Sequence, residues 1–160
     1  MKKVVFVLPV LVALSAAELV GQSGRIQGAW RPDQIVYTGP NARTVSSPQP
    51  GMYIFGATHY ARVEVTSDGP RPTPSNYATA TADELRAVWN PFGSNAGTYE
   101  ASGSELTVRP FVAKNPEVMA PSNFVVFAFR IQGDTLWLTG QRNSAGPIQN
   151  PSTVRYRRLE

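Results

Sequence analysis

Between Gly51 and Thr66, apolar and polar side chains alternate at period two, the pattern of a β-strand with one face on a core and the other in water. Taken as one strand, the segment sends Tyr53, Phe55, Ala57, His59, Ala61, Val63 and Val65 to one side. Ile54, Thr58, Tyr60, Arg62, Glu64 and Thr66 go to the other. The second set carries the charges and belongs largely in solvent. The first set, His59 included, is therefore expected to face the interior.

The rest of the chain repeats this texture in shorter pieces. Its 14 Pro and 13 Gly punctuate segments rich in Val, Phe, Tyr, Trp and Thr, which favours an all-β fold. Strands are expected at 27–30, 34–38, 97–101, 105–112, 124–132, 135–139 and 153–159. Ser102-Gly103-Ser104 and Gly133-Asp134 have hairpin-turn composition, so most neighbouring strands should be antiparallel. One helix interrupts them. Thr81-Ala82-Asp83-Glu84 is a capping box, in which hydroxyl and carboxylate satisfy backbone amides reciprocally. That helix should end near Asn90, before Pro91, with Leu85, Val88 and Trp89 against the sheet or across one end of it. Ahead of it, Pro70, Pro72 and Pro74 impose an extended connection.

At the N-terminus, Lys2 and Lys3 precede an apolar run from Val4 to Leu14 that closes on Ser15, Ala16 and Ala17. This is the charge, length and cleavage chemistry of a secretory signal peptide, assigned to residues 1–17. It leaves 18–160 as one domain, exported to a periplasm or secreted. The run is shorter than the roughly 20 residues a membrane span needs, and no later segment comes closer. Without the peptide, thirteen basic residues face eleven acidic ones, a charge of +2. So small and scattered an excess disfavours nucleic acid, whose binding rests on clustered cations. The cluster Arg155, Arg157 and Arg158 divides its charges between two faces of a strand and is read as solvated or structural. Cysteine is absent, which removes disulfides, thiolate chemistry and zinc ribbons; a domain of about 140 residues can instead bury roughly two thirds of its unfolded surface in one core.

His59, the sole histidine, falls in the middle of an otherwise apolar face. There it could hydrogen-bond a ligand, act as acid or base near neutral pH, or be a buried imidazole satisfied by a Tyr or by backbone. The same parity argument puts Leu106, Val108, Val125, Phe127, Phe129, Ile131, Leu136 and Leu138 inside. Tyr53, Phe55, Tyr99 and Phe127 could stack on a planar molecule or simply pack a core. One His and no Cys argue against a metal site. No G-x-S-x-G elbow, G-x-G-x-x-G or Walker sequence occurs, and no cofactor is expected.

Gly28-Ala29-Trp30 resembles the G-x-W motif of lipocalins, in which the Trp plugs one barrel end under an Arg of the last strand. Arg158 is the matching candidate for Trp30. GMYIF, THYARVEV, ADELRAVWNPFGSNAGTYE, VAKNPEVM and VRYRRLE, spread over residues 51–160, look like a bacterial lipocalin-like domain family. The resemblance implies an antiparallel closed barrel with a central cavity, here with one short helix inserted between strands rather than following them, and it carries over no catalytic residues. The resulting expectation is a binder of a small apolar or aromatic molecule, lined by Tyr53, Phe55, His59, Tyr99 and Phe127. Two alternatives stand beside it: a cofactor-free isomerase, cyclase or lyase using His59 as acid or base, and a protein-interaction module whose barrel is filled.

Overall fold

The computed structural model describes residues 25–160; the signal peptide expected at 1–17 lies outside them. The strands are β1 (Gly28–Tyr37), β2 (Arg43–Val45), β3 (Gly51–Phe55), β4 (His59–Val65), β5 (Phe92–Ser102), β6 (Glu105–Ala113), β7 (Val125–Gln132), β8 (Thr135–Asn143), β9 (Gly146–Pro147) and β10 (Ser152–Arg158). Helix α1 (Ala82–Trp89) stands between β4 and β5. The sheet runs β10-β1-β3-β4-β5-β6-β7-β8, and β8 pairs with β10 to close the ring. Every pairing is antiparallel, and the short strands β2 and β9 sit outside the ring on β1 and β8. The expected closed antiparallel barrel with an inserted helix is therefore what the chain forms.

Local chemistry explains the joints. Ser102 pairs with Glu105 and Gln132 with Thr135, so each hairpin closes over two residues. Gly103 and Gly133 come first in these loops with φ of 59° and 56°, which a two-residue turn that follows the sheet's twist requires. The two segments expected at 27–30 and 34–38 are one strand, β1, with a register shift between Pro32 and Gln34. On the side away from β10, β1 pairs β3 only through Trp30 and meets β2 only from Ile35, so Pro32 lies where a missing N–H leaves no ladder bond broken.

The largest departure from the sequence reading concerns residues 51–66. They form a hairpin, not one strand: β3 and β4 fold back on each other with Phe55 opposite Tyr60, Tyr53 opposite Arg62 and Gly51 opposite Glu64. The Gly56 amide donates to the His59 carbonyl at 2.8 Å across the turn. Directly opposed residues on paired strands share a face. A loop with an even number of residues therefore exchanges odd for even positions, and β4 presents Tyr60, Arg62 and Glu64 to the interior while His59, Ala61 and Val63 are exposed.

The interior is apolar at one end. Ile26, Trp30, Phe55, Leu106, Ile131, Leu136 and Phe129 pack with Tyr53, Tyr60, Tyr99, Val108, Leu138 and Tyr156 into one cluster, and Val125, Phe127 and Val154 flank it. All eight positions expected inside on β6, β7 and β8 belong to this cluster or its flank. Trp30 is fully buried, donates from Nε1 to the Ile26 carbonyl at 2.7 Å, and lies under the guanidinium of Arg158, 4.1 Å from the ring centre. Arg158 also donates to the carbonyls of Gln27 and Arg25, so that one side chain ties the segment before β1 to the last strand.

Helix α1 differs from its expectation in packing, though its cap is as read. Thr81 and Glu84 form the reciprocal capping box. No residue of the helix is buried, and Leu85 and Trp89 are exposed. Its C-terminal end is held by Lys114, which donates to the Trp89 carbonyl at 2.6 Å and to that of Asn90 at 3.3 Å.

Candidate functional site

Away from Trp30, the barrel keeps a cavity of about 270 Å³. Tyr53 and Tyr156 reach it from the aromatic cluster, Phe127, Leu138, Val154 and Ile35 wall it, and Arg62 and Glu64 project into it from β4. Loop residues Pro48, Gln49, Ser67 and Asp68 stand at its mouth. A second cavity of about 230 Å³ lies beside the first, lined by Gly93, Asn95, Ala113 and Lys114 among others, and Arg62 and Thr66 line both.

Two charged groups in a lumen demand a local explanation. Glu64 fits because the residues opposite it on both neighbouring strands are glycines, Gly51 and Gly93. A Cβ on Gly51 would come within 3.1 Å of the Glu64 Cβ, and one on Gly93 within 3.3 Å of its Cγ. The carboxylate reaches Arg62, with Oε1 3.5 Å from Nη1. That separation is long for a direct hydrogen bond. Burial is the largest single influence and works against the Arg62 charge, but Glu64 together with Tyr53, Tyr156 and Tyr60 outweighs it, and the group is held protonated. The Arg62 Nε–H, sealed from solvent, has no hydrogen-bond partner, the sole such buried side-chain atom among the described residues. An unpaired buried donor costs roughly 1–3 kcal/mol.

The tyrosines fall into two groups. Tyr60 donates to Asn95 Oδ1 at 2.8 Å, and Tyr99 donates to the Gly56 carbonyl at 2.6 Å, where it helps close the β3–β4 turn. Tyr53 and Tyr156, by contrast, direct their hydroxyls to no protein partner and line the cavity. Burial pushes both phenols well above their ordinary value, and burial likewise lifts Tyr60 to about 12. All of them are protonated donors across the physiological range. Tyr53 stacks on Phe55 at 4.4 Å and meets Tyr156 edge-on at 6.1 Å, so these two rings form the cavity floor.

Of the five residues expected to line a pocket, the structure places Tyr53 and Phe127 there. Phe55 and Tyr99 lie deeper, packed edge to face at 5.2 Å in the filled half. His59 is on the outer wall, its Nδ1 2.8 Å from the Thr58 hydroxyl and its ring 6.0 Å from that of Phe111. The hairpin at Gly56 is the physical reason, since it reverses the parity that had aimed the imidazole inward. The same reversal brings Arg62 and Glu64 inside, two residues the sequence reading assigned to water. One signal pointed to it: a single strand over 51–66 exceeds the roughly 3–10 residues usual for a strand. Tyr156 was missed because β10 carries Arg on both faces and gives no clean alternation.

Among the described residues, no three His, Asp or Glu side chains are grouped to hold a metal ion, and no helix is long and apolar enough to cross a membrane. The arginines of β10 have separate tasks: Arg155 and Arg157 pair with Asp33 on β1 at 2.9 and 3.4 Å, and Arg158 covers Trp30.

No protein-family model and no curated protein matches the chain. Among solved structures, a lipocalin-like protein from Bacteroides uniformis ATCC 8492 is similar to it at 14% identity and a TM-score of 0.48, over 83% of this chain and 97% of that one. An uncharacterized protein from Bacteroides eggerthii DSM 20697 is similar at 10% identity and a TM-score of 0.45, over 83% of this chain and 98% of that one. The closed barrel itself is defined by the strand pairings above.

Proposed function

We propose that this protein is an exported binding protein that holds one small, largely apolar or aromatic molecule in its barrel. The observation that carries the reading is the 270 Å³ cavity, floored by Tyr53 and Tyr156 and walled by Phe127, Leu138 and Val154. A dry apolar cavity of about 150 Å³ is enough to hold benzene, so a molecule of one or two rings matches this space. Affinity would come chiefly from burying apolar surface, at about 25 cal/mol per Å² before ordering costs. Export is supported by the Lys2-Lys3 pair, the apolar run to Leu14 and the small residues Ser15, Ala16 and Ala17. An outer-wall His59 serves neither ligand contact nor acid–base chemistry in the lumen, so the isomerase reading built on it is not carried further.

The test is native mass spectrometry of protein purified from its own producer, with any retained molecule identified and titrated back. The expected result is one molecule per chain, with affinity lost at least tenfold when Phe127→Trp fills the cavity and unchanged in His59→Ala. Binding that survives Phe127→Trp but is lost in His59→Ala would put the site on the outer wall and end the lumen reading.

A further inference from the structure

The lumen holds a charged pair, one member of which keeps an unsatisfied donor. Arg62 and Glu64 could have been replaced by apolar side chains that fill the space, as Leu106 and Leu136 fill the other end. Instead the barrel sets a cation and an anion side by side, leaves the Arg62 Nε–H without an acceptor, and aims two unpartnered phenol hydroxyls into the same cavity. The inventory is lopsided: the two phenol hydroxyls and the partly exposed guanidinium of Arg62 offer donors to the lumen, while the nearby carboxylate already faces Arg62.

We propose that the lumen recognises a neutral molecule bearing a carbonyl-type acceptor, an aryl or alkyl ketone, ester or amide, whose oxygen is met by Arg62 together with Tyr53 or Tyr156, and that Glu64 excludes carboxylates. The inference rests on the lumen-binding reading above and adds the ligand's chemical class. Three observations lead to it. The donors call for an acceptor, since buried polar groups are normally paired. The walls, Phe127, Leu138 and Val154, call for an apolar remainder. The charge balance decides between a neutral acceptor and an anion: Arg62 is already neutralised by Glu64, so a bound carboxylate would stand beside a like charge within the lumen.

Glycines at 51 and 93 leave the space that the Glu64 stem occupies, since a Cβ at either would come within 3.1–3.3 Å of it. The carboxylate is thereby admitted to the lumen as a charge filter beside the cation it neutralises. Tyr53 and Tyr156, kept in their protonated form by burial, supply hydrogen bonds without adding charge.

The experiment uses three one-ring probes of nearly equal size: acetophenone, ethylbenzene and benzoate, titrated at about pH 8, where a carboxylate of ordinary pKa is ionised. Binding is read from NMR shifts of the Leu138 and Val154 methyls, which also report that each variant is folded. Acetophenone should bind wild type roughly tenfold more tightly than ethylbenzene and at least tenfold more tightly than benzoate, on the scale of one hydrogen bond to a charged donor. Arg62→Met should erase the preference for acetophenone over ethylbenzene while leaving ethylbenzene bound. Glu64→Gln should raise benzoate affinity at least tenfold and change acetophenone little. Benzoate binding best to wild type, or gaining nothing from Glu64→Gln, would overturn the charge filter and leave the cavity reading standing. If none of the probes moves the lumen methyls, both readings fail together.

Discussion

At the end of the barrel where Trp30 lies, the interior is closed by side chains that satisfy one another. The indole N–H goes to the Ile26 carbonyl, Arg158 covers the ring and donates to two backbone carbonyls, and Leu106 and Leu136 have no exposed surface. At the other end, the same strands continue past Tyr53 and Tyr156 into a cavity with an unpaired arginine N–H, two free hydroxyls and a long Arg62–Glu64 contact. One end spends its residues on cohesion; the other accepts unpaired polar groups within a similar strand geometry. Fold stability should therefore be concentrated near Trp30 and ligand recognition near Arg62, with little overlap.

The sharpest way to break that division is to empty the filled end. Trp30→Ala removes the largest fully buried side chain and strips Arg158 of the ring beneath it. A loss of about 3–5 kcal/mol is expected, the range for deleting a large aromatic from a core, measured by urea unfolding. A loss under about 1 kcal/mol would show that this end does not anchor the barrel.

The matching change at the other end should have the opposite character. Arg62 and Glu64 form a half-buried ion pair; replacing one partner leaves the other without its counter-charge, whereas replacing both is often neutral or stabilising. Arg62→Met with Glu64→Gln should unfold within about 1 kcal/mol of wild type or be more stable, while Arg62→Met alone should be the less stable of the two. If the double variant lost as much as Trp30→Ala, the pair would belong to the fold and the contrast between the ends would be gone.

What could be read from the residues alone follows the same division. The filled end was legible because its strands keep a clean alternation: Leu106 and Val108, Leu136 and Leu138, and Phe129 and Ile131 all point inward as their parity requires. The site was half legible. Tyr53 and Phe127 line the cavity, but the polar pair did not register, because Gly56, Ala57 and Thr58 continue the alternation through the turn and nothing stronger than one glycine marks it. Alternation reports which residues share a face, and it fails wherever an even-length loop exchanges the faces without changing the pattern. Arg62 and Glu64 were placed in water by the rule that charges are exposed, a rule that binding sites are built to violate. The packing of α1 was misjudged for a related reason: Leu85, Val88 and Trp89 share one side, but a helix eight residues long and tethered by Lys114 at its end need not press that side on the barrel.

That helix gives the comparison its smallest and most local test. Glu84 accepts from the Thr81 amide at 2.8 Å and from the Thr81 hydroxyl at 2.9 Å, and these bonds, the amide first, hold its carboxyl below the ordinary carboxylate value. A carboxyl lowered in the folded state stabilises above the unfolded pKa, and the contribution is lost as pH falls through the folded one. Helical Cα secondary shifts over residues 82–89 should therefore hold steady near neutral pH and fade in acid below the usual carboxylate range. Thr81→Ala should reduce the local helix–coil ratio roughly fivefold at neutral pH and flatten the acid transition. Since no residue of α1 is buried, global unfolding should barely register either change. A Thr81→Ala loss that appeared in full in the urea midpoint would mean that the helix is coupled to the barrel, and that the cohesion assigned to the Trp30 end reaches farther than its contacts.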